Sequence, residues 1–266
     1  MNGLRAIIRT AAVIFSYTGI AALGLLALVV RPFSRKGNLK ILIFLMGLWG
    51  RCSCRIFNIH LRVEGKGELA PGTLVVANHV GTPDIFLLAG YCPGFFVSKA
   101  EVAGWPFIGW MVRLGQTIFI DRSRRHQIQL IVSAIEARLR EGFTVAVFPE
   151  GQASRGTDVL PFKPAVFEAA LQAGRPVLPV SLIYHEERQP GVACWSEESF
   201  MTHILRLLKN PRLEATVYMH EALPPVGDRR ALAQAAEDRI REKYLAERAR
   251  PAALAGEGGA GRGIPG

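Results

Sequence analysis

His79 and Asp84 are the two residues whose types and spacing point most directly to chemistry. A histidine with an acid five residues later pairs a ring that titrates near neutral pH with a carboxylate able to fix its tautomer. With one ring nitrogen so held, the other can take a proton from a hydroxyl. The stretch Asn78-His79-Val80-Gly81-Thr82-Pro83-Asp84 follows the apolar run Thr73-Leu74-Val75-Val76-Ala77. That order predicts a buried strand, a tight turn and a helix. Thr82 reads as the N-cap, Pro83 as the first helical position and Asp84 as a first-turn acid. The helix continues through Ile85–Leu88 until Gly90 can end it. Such a step brings imidazole and carboxylate within hydrogen-bonding reach. The same two residues would also suit a core histidine and a plain helix-capping acid, so the surroundings decide.

Short apolar runs set those surroundings after residue 60. Strands are expected at Leu61–Val63, Thr73–Asn78, Phe95–Val97, Gln116–Ile120, Thr144–Phe148, Val177–Ile183 and Leu213–Met219. Most are apolar throughout rather than alternating, as suits strands covered on both faces. Between them, Ile128, Ile131, Ile135 and Leu139 recur at helical spacing within Arg125–Arg140. Lys163–Ala173 and Ser199–Leu208 read as further helices. The alternation predicts an α/β fold, a mixed and mainly covered β-sheet flanked by helices. Four parts are expected: an N-terminal membrane-anchoring helical segment at 1–60, an α/β domain at 61–226, a charged helix at 227–250 and a disordered tail at 251–266.

The net charge of +10 raises the question of a nucleic-acid partner, and its placement answers it. Nine of the 32 basic residues fall in residues 1–63, which hold no acid, while the remaining 23 face 22 acids. The excess therefore flanks the apolar N-terminal region, where cations attract anionic lipid headgroups. A nucleic-acid binder would carry its basic patch on a soluble face, so no nucleic acid is expected. Thr10–Val30 is uncharged between Arg9 and Arg31 and long enough to span a bilayer as an uncleaved anchor. Ile41–Gly50 is too short to span and reads as interfacial or docked beneath the first helix. Cys52, Cys54, Cys92 and Cys194 show no paired zinc spacing and no disulfide framework, so no metal and reduced thiols are expected.

Three more blocks stand at predicted strand ends. Gly115-Gln-Thr-Ile-Phe-Ile-Asp121-Arg122 delivers an arginine able to fork onto a phosphate or carboxylate. Phe148-Pro149-Glu150-Gly151 sets an acid beside a glycine that permits positive φ or close backbone approach. Val177-Leu-Pro179-Val-Ser-Leu182 carries a proline that implies a strand edge or a bulge. Ligands of α/β sheets gather beyond the carboxyl ends of strands, so several such ends together say more than one.

In this order and at these intervals, the four blocks resemble the glycerolipid acyltransferase family that includes 1-acylglycerol-3-phosphate acyltransferase, over roughly residues 60–220. The resemblance implies acyl transfer from acyl-CoA or acyl carrier protein to a lysolipid hydroxyl, with no further cofactor. His79 would be the general base and Asp84 its orienter, and Arg122, Glu150 and Gly151 would hold the acceptor head group. Lys99, after a short strand, is a second cation beside it, and a backbone N–H near Gly151 is the expected oxyanion donor. The sequence has no G-x-S-x-G elbow for a serine nucleophile. It departs from the family where Gln152-Ala153-Ser154-Arg155 replaces the usual Thr-Arg-Ser, displacing the arginine by two residues. Pro164-Ala165 likewise stands where Phe-Lys is usually followed by x-Gly. The runs Val97–Pro106 and Leu160–Phe167 are also similar to acyltransferases acting on lyso-ornithine lipids, which makes that lipid the alternative acceptor. The expected setting is the inner membrane, with the catalytic domain facing the cytoplasm. The reading from another class is a non-catalytic, membrane-anchored lipid-binding protein, against which the intact His79 and Asp84 count.

Overall fold

The structure, a computed structural model, describes residues 2–120, 127–186, 191–195 and 198–249. Seven strands form one sheet: β1 (Ile59–Gly65), β2 (Leu74–Ala77), β3 (Phe95–Lys99), β4 (Ile118–Ile120), β5 (Val145–Val147), β6 (Val177–Tyr184) and β7 (Leu213–Met219). Their order across the sheet is β1-β7-β6-β2-β5-β3-β4. All neighbours run parallel except β6 and β7, so the sheet is mixed, as expected. The carboxyl ends of β2, β3, β4, β5 and β6 consequently lie along one edge.

Alternation of side chains sorts the core into two faces. Leu74 and Val76 of β2 point to the same core as Ile131, Ile135, Phe167 and Ile240. Those come from α5 (Gln127–Arg140), α6 (Phe167–Ala173) and α8 (Arg229–Arg248). Val75 and Ala77 point instead to Leu87, Leu88 and Leu207 of α3 (Thr82–Tyr91) and α7 (Phe200–Lys209). The helix expected at the C-terminus is thus integral to the domain, since Leu232, Ala236, Ile240 and Tyr244 of α8 are buried against the sheet. Asp228 caps it by accepting from the N–H groups of Arg230 and Ala231. The tail at 251–266 lies outside the described residues.

Gly90 does not end α3, which runs on through Tyr91. Its reason is packing. A Cβ on Gly50 of α2 (Arg35–Ile56) would lie 2.3 Å from Gly90 N, so the two helices cross in backbone contact. Pro179 is interior rather than at an edge. It sits where Val180 pairs with Met219 but Val177 bridges to Leu223, one extra residue on the second chain, which is the bulge its missing N–H calls for. A short helix expected nowhere, α4 (Ile108–Leu114), follows β3.

The N-terminal helix α1 (Asn2–Ala27) begins well before Thr10, and the second apolar run extends to the whole of α2. Gly3–Val30, with mean hydropathy 2.3, is the one helix among the described residues long and apolar enough to cross a membrane. In this structure α1 lies along the domain, touching it throughout its length. Arg5 and Arg9 donate to the carbonyls of Lys209, Leu208, Asn210 and Pro211 at the C-terminus of α7. Farther on, Tyr17 bonds the Ser53 hydroxyl at 2.8 Å, and Asn38 Nδ2 donates to Ala27 O. The opposite face of α1 exposes Ile7, Ile8, Ile14, Phe15 and Leu26. The α2 helix is therefore sandwiched between α1 and α3, the docked alternative of the two expected for it.

Candidate active site

The β2–α3 turn brings His79 and Asp84 together, with Nδ1 of the ring 2.7 Å from Asp84 Oδ2. The helix starts one residue earlier than expected. Gly81 is the N-cap, and Asp84 is the third helical residue, reaching back to the Gly81 N–H at 2.9 Å. Oδ2 also accepts from the Val80 N–H at 2.6 Å, and Oδ1 accepts from the Tyr184 hydroxyl at 2.5 Å. Four donors converge on one fully buried carboxylate. A carboxylate only accepts, so Nδ1 must carry the ring proton and Nε2 is left with its lone pair. The His79 side chain is 17% exposed and that of Asp84 0%, so a substrate can reach the ring and not its orienter.

Neighbouring elements lock the histidine further. Asn78 extends the β2–β6 ladder with its side chain, donating to Leu182 O at 2.9 Å and accepting from Leu182 N at 2.8 Å. The main chain is thereby fixed up to the point where His79 leaves the sheet. His79 N donates to Glu150 Oε1 at 2.8 Å, and His79 O accepts from Ser154 N at 2.7 Å. Phe148, at the end of β5, stacks on the imidazole with centroids 4.2 Å apart and planes 15° from parallel.

A segment that sequence reasoning assigned no role closes over the turn. Trp195 N donates to Val80 O at 2.9 Å, and a Cβ on Gly81 would lie 2.1 Å from Ala193 O. Only glycine permits that approach. Glu186 holds the segment from one side by accepting from Val192 N and Ala193 N, and Arg206 of α7 from the other by donating to Cys194 O. His203, buried beneath and stacked on Trp195, has its pKa pushed down to about 4, first by burial and then by the Arg206 charge. It is a neutral imidazole at pH 7, and its Nε2 faces the N–H of Thr82 at a long 3.4 Å.

The residues assigned to the head group separate. Glu150 stands in the turn after β5, the strand beside β2, yet its carboxyl is buried and turned to the His79 backbone instead of open space. Burial pushes its pKa up to about 8, against the pull of the His79 N–H, so it is largely protonated at neutral pH. Gly151 takes a φ of 81°, a conformation suited to glycine, and its N–H donates to Phe148 O, so this group is not turned outward as an oxyanion donor. Lys99 ends β3 with its side chain exposed, two strands from β2 and so about 10 Å away along the sheet edge. Arg122 lies outside the described residues.

Tyr184, Asn78, Phe148 and the 191–195 segment are the parts that sequence reasoning missed. Tyr184 ends β6, one residue beyond the expected strand, and a strand end adjacent to β2 was the available signal.

Known proteins resemble this arrangement along most of the chain. The profile of the family described as Acyltransferase matches residues 60–183. A lyso-ornithine lipid O-acyltransferase from Pseudomonas aeruginosa is 33% identical over 73% of this chain and 75% of its own length. A 1-acyl-sn-glycerol-3-phosphate acyltransferase from Neisseria gonorrhoeae is 42% identical over 52% of this chain and 54% of its own length. The crystal structure of the 1-acyl-sn-glycerophosphate acyltransferase from Thermotoga maritima superposes with a TM-score of 0.67 at 25% identity, covering 94% of this chain and 99% of that one.

Proposed function

This chain belongs to the glycerolipid acyltransferase family, and from that premise we propose that it acylates the free hydroxyl of a lysolipid, 1-acyl-sn-glycerol-3-phosphate first. The donor is a fatty acyl thioester, acyl-CoA or acyl carrier protein. One observation carries the reading: Asp84 fixes Nδ1 and leaves a reachable Nε2. In the reaction, Nε2 takes the acceptor's hydroxyl proton and the oxygen attacks the thioester carbonyl. The tetrahedral intermediate collapses, the carbon–sulfur bond breaks, and the imidazolium returns the proton to the departing thiolate. Asp84 stabilises that imidazolium, as the acid of a triad does.

A second acceptor, lyso-ornithine lipid, is favoured by the extent of likeness. Lyso-ornithine lipid acyltransferases from four bacteria align over 72% to 76% of this chain, against 52% for the Neisseria gonorrhoeae phosphate enzyme. Both acceptors carry an anionic group that an exposed strand-end cation such as Lys99 would attract. The outward apolar face of α1 supports a membrane setting in which the acceptor arrives from lipid. A thioester donor made in the cytoplasm supports a site facing that side of the inner membrane.

The test is turnover by the full chain in detergent, with labelled acyl-CoA or acyl carrier protein and a panel of lysolipids. Product from lysophosphatidate, falling about 10²–10⁴-fold after His79→Ala, is expected. Product from lyso-ornithine lipid alone moves the acceptor to the second reading. No product from any acceptor would leave a lipid-binding protein instead.

A further inference from the structure

The oxygen of Asp84 that faces away from His79 is also engaged, and by a single group. Tyr184, the last residue of β6, places its hydroxyl 2.5 Å from Oδ1. The ring is 8% exposed and lies in the core that packs α3 on the sheet, so the phenol has no path to a substrate. Burial and the Asp84 charge both push its pKa well up, so it remains a proton donor at any working pH. The contact spans 100 residues of sequence and joins β6 to the first turn of α3 across the end of β2.

We propose that Tyr184 is a positioning residue for acyl transfer, acting through Asp84 to set the orientation and basicity of the His79 ring. The proposal rests on the acyltransferase reading above. Its physics is a division of charge. A hydroxyl donating to Oδ1 draws negative charge toward that oxygen and away from Oδ2, where the imidazole is held. It also stops the carboxylate from rotating about its own axis, which would misdirect the ring. Without the hydroxyl, Oδ2 would carry more charge and hold the imidazolium more tightly. The base would then lose its proton only at higher pH.

Several groups bond Asp84 or feel its charge and bear on that expectation. They are His79 from the turn itself, Tyr184 from β6, Glu150 from the end of β5, His203 from α7 and Tyr244 from α8. Glu150 titrates near 8, His203 near 4 and Tyr244 near 12.

The experiment compares wild type, Tyr184→Phe and His79→Ala in full-length protein. It follows kcat and KM for the acceptor, the pH profile of kcat/KM, the melting temperature and the ¹⁵N resonances of the His79 ring. Phe keeps the ring's packing and removes only the hydroxyl. For Tyr184→Phe we expect kcat to fall about tenfold, equivalent to ~1.4 kcal/mol. KM should stay within about twofold, because the residue is buried away from the acceptor. The acid limb of kcat/KM should move up by about half a pH unit or more, and the His79 ring titration should move with it. A lower melting temperature with an unmoved acid limb and ring titration would overturn the proposal and leave Tyr184 a packing residue. Full activity in His79→Ala would instead overturn the acyltransferase chemistry assigned to the pair. The ring titration reports on Tyr184 in either case.

Discussion

The β2–α3 turn and the rim at the end of β3 share one edge of the sheet and are built on opposite rules. In the turn, Asp84 is sealed and accepts from four donors, while the backbone of His79 is bonded on both sides. At the rim, Lys99 is exposed, and beyond it Phe107 and Trp110 are 52% and 44% exposed. A group that moves a proton must be held to within fractions of an ångström, and only saturated internal bonding achieves that. A group that attracts a mobile lipid head needs reach and charge instead. Damage to the turn should therefore appear in kcat and damage to the rim in KM.

Removing the base tests this division most severely. His79→Ala should lower kcat by about 10²–10⁴-fold, the usual worth of a positioned general base, with acceptor KM nearly unchanged. Steady-state kinetics on the preferred lysolipid read both. A large rise in KM with kcat preserved would place His79 among the binding groups and erase the contrast.

Gly81→Ala is expected to come next, although it removes no functional group. The new Cβ would meet Ala193 O at 2.1 Å and Trp195 N at 3.1 Å, so either the 191–195 segment lifts or the turn shifts. Overpacking of this kind costs about 1–3 kcal/mol of stability. A displacement near 1 Å at the base can cost about 10²-fold in rate. Melting temperature and kcat should both fall. Unchanged kcat would show that the turn does not depend on its cover.

The contrast also explains what the sequence makes legible. The pair His79 and Asp84 sits within seven residues, and its geometry follows from a strand, a turn and a helix start that are all local. The run Leu213–Met219 becomes a strand over the same residues because apolar Leu213, Ala215 and Val217 alternate with Glu214, Thr216 and Tyr218, a strand period, between polar flanks. Tyr184 is invisible by the same logic, since its partner is 100 residues away and the contact exists only because β6 pairs with β2. Gly90 suits a helix stop in sequence, whereas it lies at the crossing with α2, where a Cβ on Gly50 would meet Gly90 N at 2.3 Å, and helix crossings leave no periodic trace. Arg5 and Arg9 counted as cations for lipid headgroups, yet they bond the carbonyl end of α7. Charge placement reports on the region and says nothing of the individual partner.

Glu150 belongs to the turn by geometry, although its motif resembles one that binds head groups, and its titration separates the two roles. Its pKa lies near 8 in the folded chain against an ordinary 4.5. Between those values the folded state holds a proton that the unfolded state has released. Its contribution to stability is therefore greatest below about pH 4.5 and is lost as pH rises through 8. Glu150→Gln keeps the acceptor for the His79 N–H and removes the titration. The stability of the variant, followed through its melting temperature, should gain on wild type as pH rises from about 5 to 8, by a few kcal/mol at most at ~1.4 kcal/mol per unit. At neutral pH its kcat should stay within a few-fold of wild type. A rise in acceptor KM with no pH-dependent gain would return Glu150 to the head group.

The smallest effect is expected at the rim. Lys99 stands about 10 Å along the edge from β2, close to one Debye length at 0.1 M salt. At that range a charge draws an anionic head group toward the site without touching the reacting atoms. Lys99→Ala should raise acceptor KM about three- to tenfold at low ionic strength and leave kcat alone. The effect should shrink at ~0.5 M salt, where the screening length is only a few ångströms. Lys99→Arg should restore most of the affinity for a phosphate, since the charge is kept and the fork adds a second donor. A fall in kcat that resists salt would mean that Lys99 acts on the transition state, and the edge would then hold one continuous site instead of two kinds.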